Sequence, residues 1–297
     1  MVNLHDIRYI RLGTRNLSEA ERFATEVVGL QVSRRDGDSV YLKSDDRDHT
    51  LCYFTGDPDD QVVGLELYDS SALTAAADEL VNAGIEVHQG SVEECQRRRV
   101  RDFIRLQDPT GNTVEIVVRP FHSGLRFHGE RDAGIGGFNH IGLRTTDPRK
   151  DEKFWTQVFN ARVSDWVGDA ALLRLSTVHH SLAMFPSGKP GVQHINHQVG
   201  SIDDVMKSFY FLREKGVHVE FGPGRHPSSG AMFLYFRGPD GMTFEYSVGV
   251  GHVTPEQELT YRPRQFPWEP WSLCYWGAKP DIPEFRLGTQ PANQDSN

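Results

Sequence analysis

Three pairs of segments in this chain repeat one another at a common offset of about 130 residues. The first pair is IRYIRLGTRNLSEAERFATEVVGL (7–30) and FNHIGLRTTDPRKDEKFWTQVFNA (138–161). Each reads as an alternating strand, a turn and a helix with aromatics along one stripe. The second pair, LELYDSSALTAAADELVNAGIEVH (65–88) and HQVGSIDDVMKSFYFLREKGVHVE (197–220), runs strand, Ser or Asp cap, helix, Gly stop, strand. The third, DPTGNTVEIVV (108–118) and GPDGMTFEYSV (238–248), is a Gly-closed turn before a strand with Glu at the same place. Each half divides again, so four βαβββ units start near residues 7, 61, 137 and 191. One such unit exposes an apolar sheet face that it cannot bury alone. Two side by side can curve their strands around a central cavity, with helices outside. The expected fold class is α+β. Four tandem βαβββ modules form two domains, each a curved, mostly antiparallel sheet around a cavity.

The expected boundaries follow from composition. An N-terminal domain spans 1–121 and a Gly-rich polar linker 122–136. A second domain spans 137–250, and a Pro- and Trp-rich tail at 251–297 packs on it, its final LGTQPANQDSN disordered. The net charge of −9 provides no basic patch, which argues against nucleic acid and anionic membrane as partners. No run of about 18 apolar residues reads as a membrane helix. The opening MVNLHDIRYIRLGTRNL breaks its apolar run with charges, unlike a signal peptide. Cys52, Cys95 and Cys274 are scattered and odd in number, which fits a reducing, cytoplasmic setting without disulfides.

Setting the halves against each other separates what the fold needs from what chemistry needs. His140 opens the third module where the first has Tyr9. His194 opens the fourth where the second has Val62, and Glu245 is matched by Glu115. Only the second half therefore holds two His and one Glu on strands facing the expected cavity. A set of two His and one carboxylate with open positions suits non-haem Fe(II) used with oxygen, Mn(II) being the alternative ion. A single strand histidine is more often a core or surface residue, and joint placement is what lifts this set. His197, further along the strand of His194 and expected on the same face, is the rival ligand. Glu115 is expected to be a remnant paired with a base such as Arg105. His5, His49, His88, His122, His128, His218 and His252 read as surface histidines. The stretch GPGRHPSSGAMFLYFRGPDGMTFEY (222–246) reads as loop, strand, turn and strand, bringing His226 and Tyr235 towards Glu245. Arg105 stands where the second half has Tyr235.

The segments FNHIGLRT (138–145), HHSLAMF (179–185), QHINHQVGSIDDV (193–205) and GPGRHPSSGAMFLYFRGPDGMTFEYS (222–247) carry a resemblance. They resemble the catalytic domain of the type I extradiol ring-cleaving dioxygenases, of the vicinal oxygen chelate superfamily. The likeness is specific in the second half and loose in the first. It implies His140, His194 and Glu245 as iron ligands, and selects His194 over His197 by the register from Val199 and SIDDV. It implies His180 as the acid–base residue, with His226 and Tyr235 bonding the substrate. The implied reaction cleaves a catecholic aromatic next to its vicinal hydroxyls with O2. The product is of 2-hydroxymuconic-semialdehyde type, in aromatic degradation, and the enzyme is a homo-oligomer whose first half holds no metal. Two departures stand out: Gln193 precedes His194 where the family often has a second His, and Asn196-His197 is unusually polar. His179 and His180 are both candidates for the acid–base role; on an alternating strand only one would reach the cavity. Two alternatives stay open: a metal-dependent isomerase or hydrolase on the same scaffold, and a metal-free protein that binds small aromatics. Arg225 could meet an anionic substituent. Phe221, Trp155, Trp166, Phe185 and the Trp-rich tail point instead to an uncharged or halogenated catechol.

Overall fold

A computed structural model describes residues 1–286. The expectation of disorder for LGTQPANQDSN lies outside the described residues. The first module is β1 (Leu4–Thr14), α1 (Leu17–Arg22), β2 (Gln31–Asp36), β3 (Ser39–Lys43) and β4 (Leu51–Thr55). The second is β5 (Gln61–Leu67), α2 (Leu73–Asn82), β6 (His88–Gln89), α3 (Val92–Arg98), β7 (Asp102–Gln107) and β8 (Thr113–Val118). The third is β9 (Ile135–Thr145), α4 (Pro148–Gln157), β10 (Arg162–Val167), β11 (Ala170–Arg174) and β12 (Leu182–Pro186). The fourth is β13 (Val192–Val199), α5 (Ile202–Glu214), β14 (Val219–Arg225), β15 (Met232–Arg237) and β16 (Thr243–Val248). The tail adds α6 (Pro255–Glu258), β17 (Arg264–Phe266) and α7 (Pro270–Leu273).

The α+β class and the repeated modules are as the sequence repeats predict. The strands form two sheets, β2-β3-β4-β1-β5-β8-β7-β6 and β14-β15-β16-β13-β9-β12-β11-β10-β17. In every module the first strand pairs parallel with the last, which requires the helix and two strands between them as a crossover. The first strands of paired modules run antiparallel, β1 to β5 and β9 to β13. The module helices start where short polar side chains satisfy free N–H groups: Asn16 accepts from Glu19, Asp147 from Lys150 and Ser201 from Asp204. Helix α3 has no counterpart in the other modules. Ser91 and Glu94 close it with a reciprocal capping box.

An apolar cluster shared by both halves includes Ile10, Leu42, Ile116, Ile141, Trp155 and Phe236. Each half also docks its last turn on the other. Thr14 Oγ1 donates to Asp240 at 2.6 Å, and Thr110 Oγ1 donates to Asp151. A second apolar cluster joins Phe185, Phe221 and Tyr235 to the tail residues Phe266, Leu273 and Phe285. Strand β17 pairs parallel with β10 and extends the edge of the second sheet. All three cysteines are free and buried. No helix among the described residues is long and apolar enough to cross a membrane. His49 corrects an expectation. It is buried, its Nδ1 3.2 Å from Asp48 and its ring stacked on Tyr9, because the inner face of the first sheet carries polar rings rather than solvent.

Candidate metal centre

His140, His194 and Glu245 sit on β9, β13 and β16, three neighbouring strands. In register, Asn196 lies opposite both His140 and Glu245, and Glu245 lies opposite Tyr235. These residues therefore form one row across the sheet, and His194 shares the face of Asn196 by the two-residue period. One donor atom from each of His140, His194 and Glu245 lies within 4.8 Å of the others. His140 Nε2 is 3.0 Å and His194 Nε2 3.4 Å from Glu245 Oε2. His194 Nε2 and both Glu245 oxygens are nonetheless buried without a hydrogen bond.

Burial works against charge on Glu245, but the rings of His140, His226 and His194 outweigh it and hold the carboxyl well below its usual range. Burial lowers His194 to about 3, against the pull of Glu245, so its imidazole is neutral. Neutral imidazole and ionised carboxylate are the protonation states a metal requires. A buried carboxylate whose only ion-pair contacts among the described residues are histidines is costly unless a cation compensates it. The donor set thus fits a divalent ion with open positions.

The first half shows the same frame closed by protein. Glu115 lies opposite Gly64 and Arg105, and Gly64 opposite Tyr9, so Tyr9, Glu115 and Arg105 are the counterparts of His140, Glu245 and Tyr235. Tyr9 Oη donates to Glu115 at 2.7 Å, Arg105 Nε at 3.0 Å, and Arg98 Nε to both oxygens at 2.8 Å. Arg105 was expected. Arg98 was not, because it rides on α3, outside the repeat; the capping pattern Ser91–Glu94 is the signal that marks that helix.

Around the second-half cluster, His226 Nδ1 is 2.9 Å from the Leu273 carbonyl and donates to it, which leaves Nε2 to accept from Tyr235 Oη at 3.1 Å. Burial and the Glu245 charge raise the Tyr235 hydroxyl well above its usual range. His179 and His180 do not lie on an alternating strand. They occupy the turn between β11 and β12, both buried, with Nδ1 atoms 3.1 Å apart. His179 Nε2 is 2.9 Å from Asp165 Oδ2, and Arg264 of the tail donates to the same carboxylate at 2.6 Å. Burial opposes charge on Asp165, but His179 and Arg264 outweigh it and hold its carboxyl low. The ring of His180 lies 4.2 Å from that of His140, and burial, then His140, push His180 well below its ordinary range. Asp165 and Arg264 were not singled out from sequence, since neither belongs to a repeated motif.

His197 is not beside His194. The two are three positions apart, an odd offset, so alternation turns His197 to the other face. There its ring stacks on Phe244 and neighbours Phe138, and burial lowers it to about 4.

Two imidazoles and a carboxylate gathered on paired βαβββ modules make a candidate divalent-metal site, with a protein-filled counterpart in the first half. The chain belongs to the Glyoxalase/Bleomycin resistance protein/Dioxygenase superfamily, whose family model matches residues 6–116 and 137–246. It is similar to an iron-dependent extradiol dioxygenase of Rhodococcus jostii (strain RHA1), 27% identical over 98% of this chain and 100% of that one. It is also similar to a 1,2-dihydroxynaphthalene dioxygenase of Sphingobium xenophagum, 28% identical over 88% of this chain and 94% of that one. Among solved structures, a catechol 2,3-dioxygenase matches with TM-score 0.78 at 25% identity, covering 86% of this chain and 92% of that one. The Mn(II)-bound glyoxalase from Novosphingobium aromaticivorans shares the fold, with TM-score 0.84 at 24% identity over 96% and 94% of the two chains.

Proposed function

We propose that this protein is a non-haem Fe(II) extradiol dioxygenase that cleaves a catecholic ring beside its two hydroxyls with O2, in aromatic degradation. The observation that carries the reading is the buried cluster of His140, His194 and Glu245, in which His194 Nε2 and both Glu245 oxygens have no hydrogen-bond partner. The extradiol names of its full-length relatives agree with it. The same set would accept Mn(II). The site belongs to the domain at 137–250. The domain at 1–121 is a copy without metal, joined through 122–136, and the tail from 251 packs on the catalytic domain. The protein is read as cytoplasmic and, from the family resemblance, as a homo-oligomer; the charge of −9 supports the absence of nucleic-acid or membrane partners.

The ion would supply a single centre at which catechol oxygens and dioxygen meet. Every other contribution is the protein's. Tyr235 and His226 present a hydrogen-bonded pair, anchored on the Leu273 carbonyl, to hold a substrate oxygen in place. Ionised Asp165 accepts a hydrogen bond from His179 Nε2–H, which leaves His179 Nδ1 to accept from His180 Nδ1–H. That leaves His180 Nε2 as the lone pair that takes a proton from the substrate hydroxyl and later returns it. Phe185, Phe221 and Phe285 exclude water beside Tyr235.

The wall also bears on the substrate. Arg144 is tied to Glu284 at 2.6 Å and to the Val192 carbonyl at 2.7 Å, while Arg264 is tied to Asp165. With these cations committed and the remaining wall aromatic, the ring substituent is uncharged and apolar. The test is anaerobic loading with Fe(II), then a panel of catechols and air. Oxygen uptake and a yellow product are expected with apolar catechols and not with carboxylated ones. Iron bound with no uptake from any catechol would sink the reading and leave an isomerase or hydrolase on this scaffold; no iron bound at all would leave a binding protein.

A further inference from the structure

The ladders that carry the two sites differ by one residue. In the first half Leu12 pairs with Gln61 and Arg11 with Val62, without interruption. In the second, Leu143 pairs with Val192 and Gly142 with His194, and Gln193 is left over as a β-bulge. A bulge breaks the alternation of faces and re-aims a side chain. Here it brings two successive side chains together: Gln193 Oε1 lies against His194 Nδ1 in a short hydrogen bond. Gln193 is 1% exposed, and its Nε2 has no partner, so the bond to His194 is what places the side chain. Gly142, across the ladder, makes the room. A Cβ there would fall 2.4 Å from His194 Nδ1 and 2.7 Å from Gln193 Oε1. The first half has Arg11 at that position. The other ligand strand repeats the arrangement. Asn139 is a bulge on β9, and its Oδ1 lies 3.0 Å from His140 Nδ1. That second bulge has a counterpart at Arg8 in the first half; the one at Gln193 has none.

We propose that Gln193 is a positioning residue for the metal. Its amide oxygen accepts from His194 Nδ1–H and so holds the ring in the tautomer and orientation that turn the bare Nε2 towards His140 and Glu245. Asn139 does the same for His140. The inference rests on the reading of His194 as a ligand, and the controls below separate the two. An acceptor on the far nitrogen of a ligating histidine raises its basicity and restricts the ring, and losing such a partner costs metal affinity.

The experiment titrates the metal-free, full-length protein with Mn(II) and follows free Mn(II) by EPR, with far-UV circular dichroism alongside. Gln193→Leu removes the acceptor at nearly constant volume. It is expected to weaken Mn(II) binding by about 10–100-fold with an unchanged dichroism spectrum. Gln193→Glu, which can only accept, is expected to keep wild-type affinity. Wild-type affinity in Gln193→Leu, or equal losses in the Leu and Glu variants, would overturn the proposal. Should Gln193→Leu not fold, Gln193→Met is read by the same two outcomes. His194→Ala is the control for the underlying reading. If it keeps Mn(II), the ligand assignment fails; if it loses Mn(II) while Gln193→Leu does not, only the role of Gln193 fails.

Discussion

Glu115 and Glu245 occupy the same register position and meet opposite surroundings. Glu115 is closed by Arg98, Arg105 and Tyr9, whereas Glu245 faces imidazoles. A guanidinium and a metal ion are two ways to compensate one buried carboxylate. Glu115→Gln would leave the buried Arg98 guanidinium without its charged partner, while Arg105 keeps Glu94. It should destabilise the fold by ~3–5 kcal/mol in urea denaturation, with metal content unchanged. His194→Ala should abolish metal loading and His197→Ala should retain it, as read by metal analysis after desalting. The reverse result would put the site on the wrong face of β13. Comparing the halves made Tyr9, Val62 and Arg105 legible as counterparts, because each lies inside a repeat. Arg98, Asp165 and Arg264 were not legible, because they reach their partners from outside the repeats.

Among the elements, strand order does most of the positioning, and three features modify it. The bulges at Asn139 and Gln193 set neighbouring amides on the rings of His140 and His194. The turn between β11 and β12 lets His179 and His180 act together where a strand would have split them across two faces. The tail brings Arg264 to Asp165, the Leu273 carbonyl to His226, and Phe285 to the aromatic wall. Phe285 packs 4.7 Å from Phe185 and 5.9 Å from Tyr235. Phe285→Ala should cost ~3–5 kcal/mol of stability by thermal or urea melting. It should also raise kcat/KM for bicyclic catechols relative to monocyclic ones, since the space opens beside Tyr235. An unchanged ratio would remove Phe285 from the substrate wall. Helical periodicity and turn residues mark helices and hairpins, but a bulge has no compositional signature, so both bulges escaped the sequence.

At the scale of the whole molecule, a duplicated frame holds one buried candidate site with unpartnered donors and one filled by its own side chains. Titration should therefore saturate at one divalent ion per chain. At a hundredfold excess over Kd the ion should add about 2.7 kcal/mol of stability, seen as a higher Tm in the wild type and no shift in His194→Ala. Two ions per chain would contradict the closed first site. The sequence by itself determined the four modules, their pairing into halves, and the candidates His140, His194, Glu245, His226 and Tyr235, while His180 came from the family resemblance alone. It could do so because repeats and period-two patterning are local properties that survive in one dimension. Only the tertiary structure decided that Arg98 fills the first site, that the tail reaches the second, and that the amides of Asn139 and Gln193 meet the rings of His140 and His194. Those outcomes depend on which side chains from distant strands, turns and tail residues meet across a buried face, and no spacing along the chain encodes that meeting.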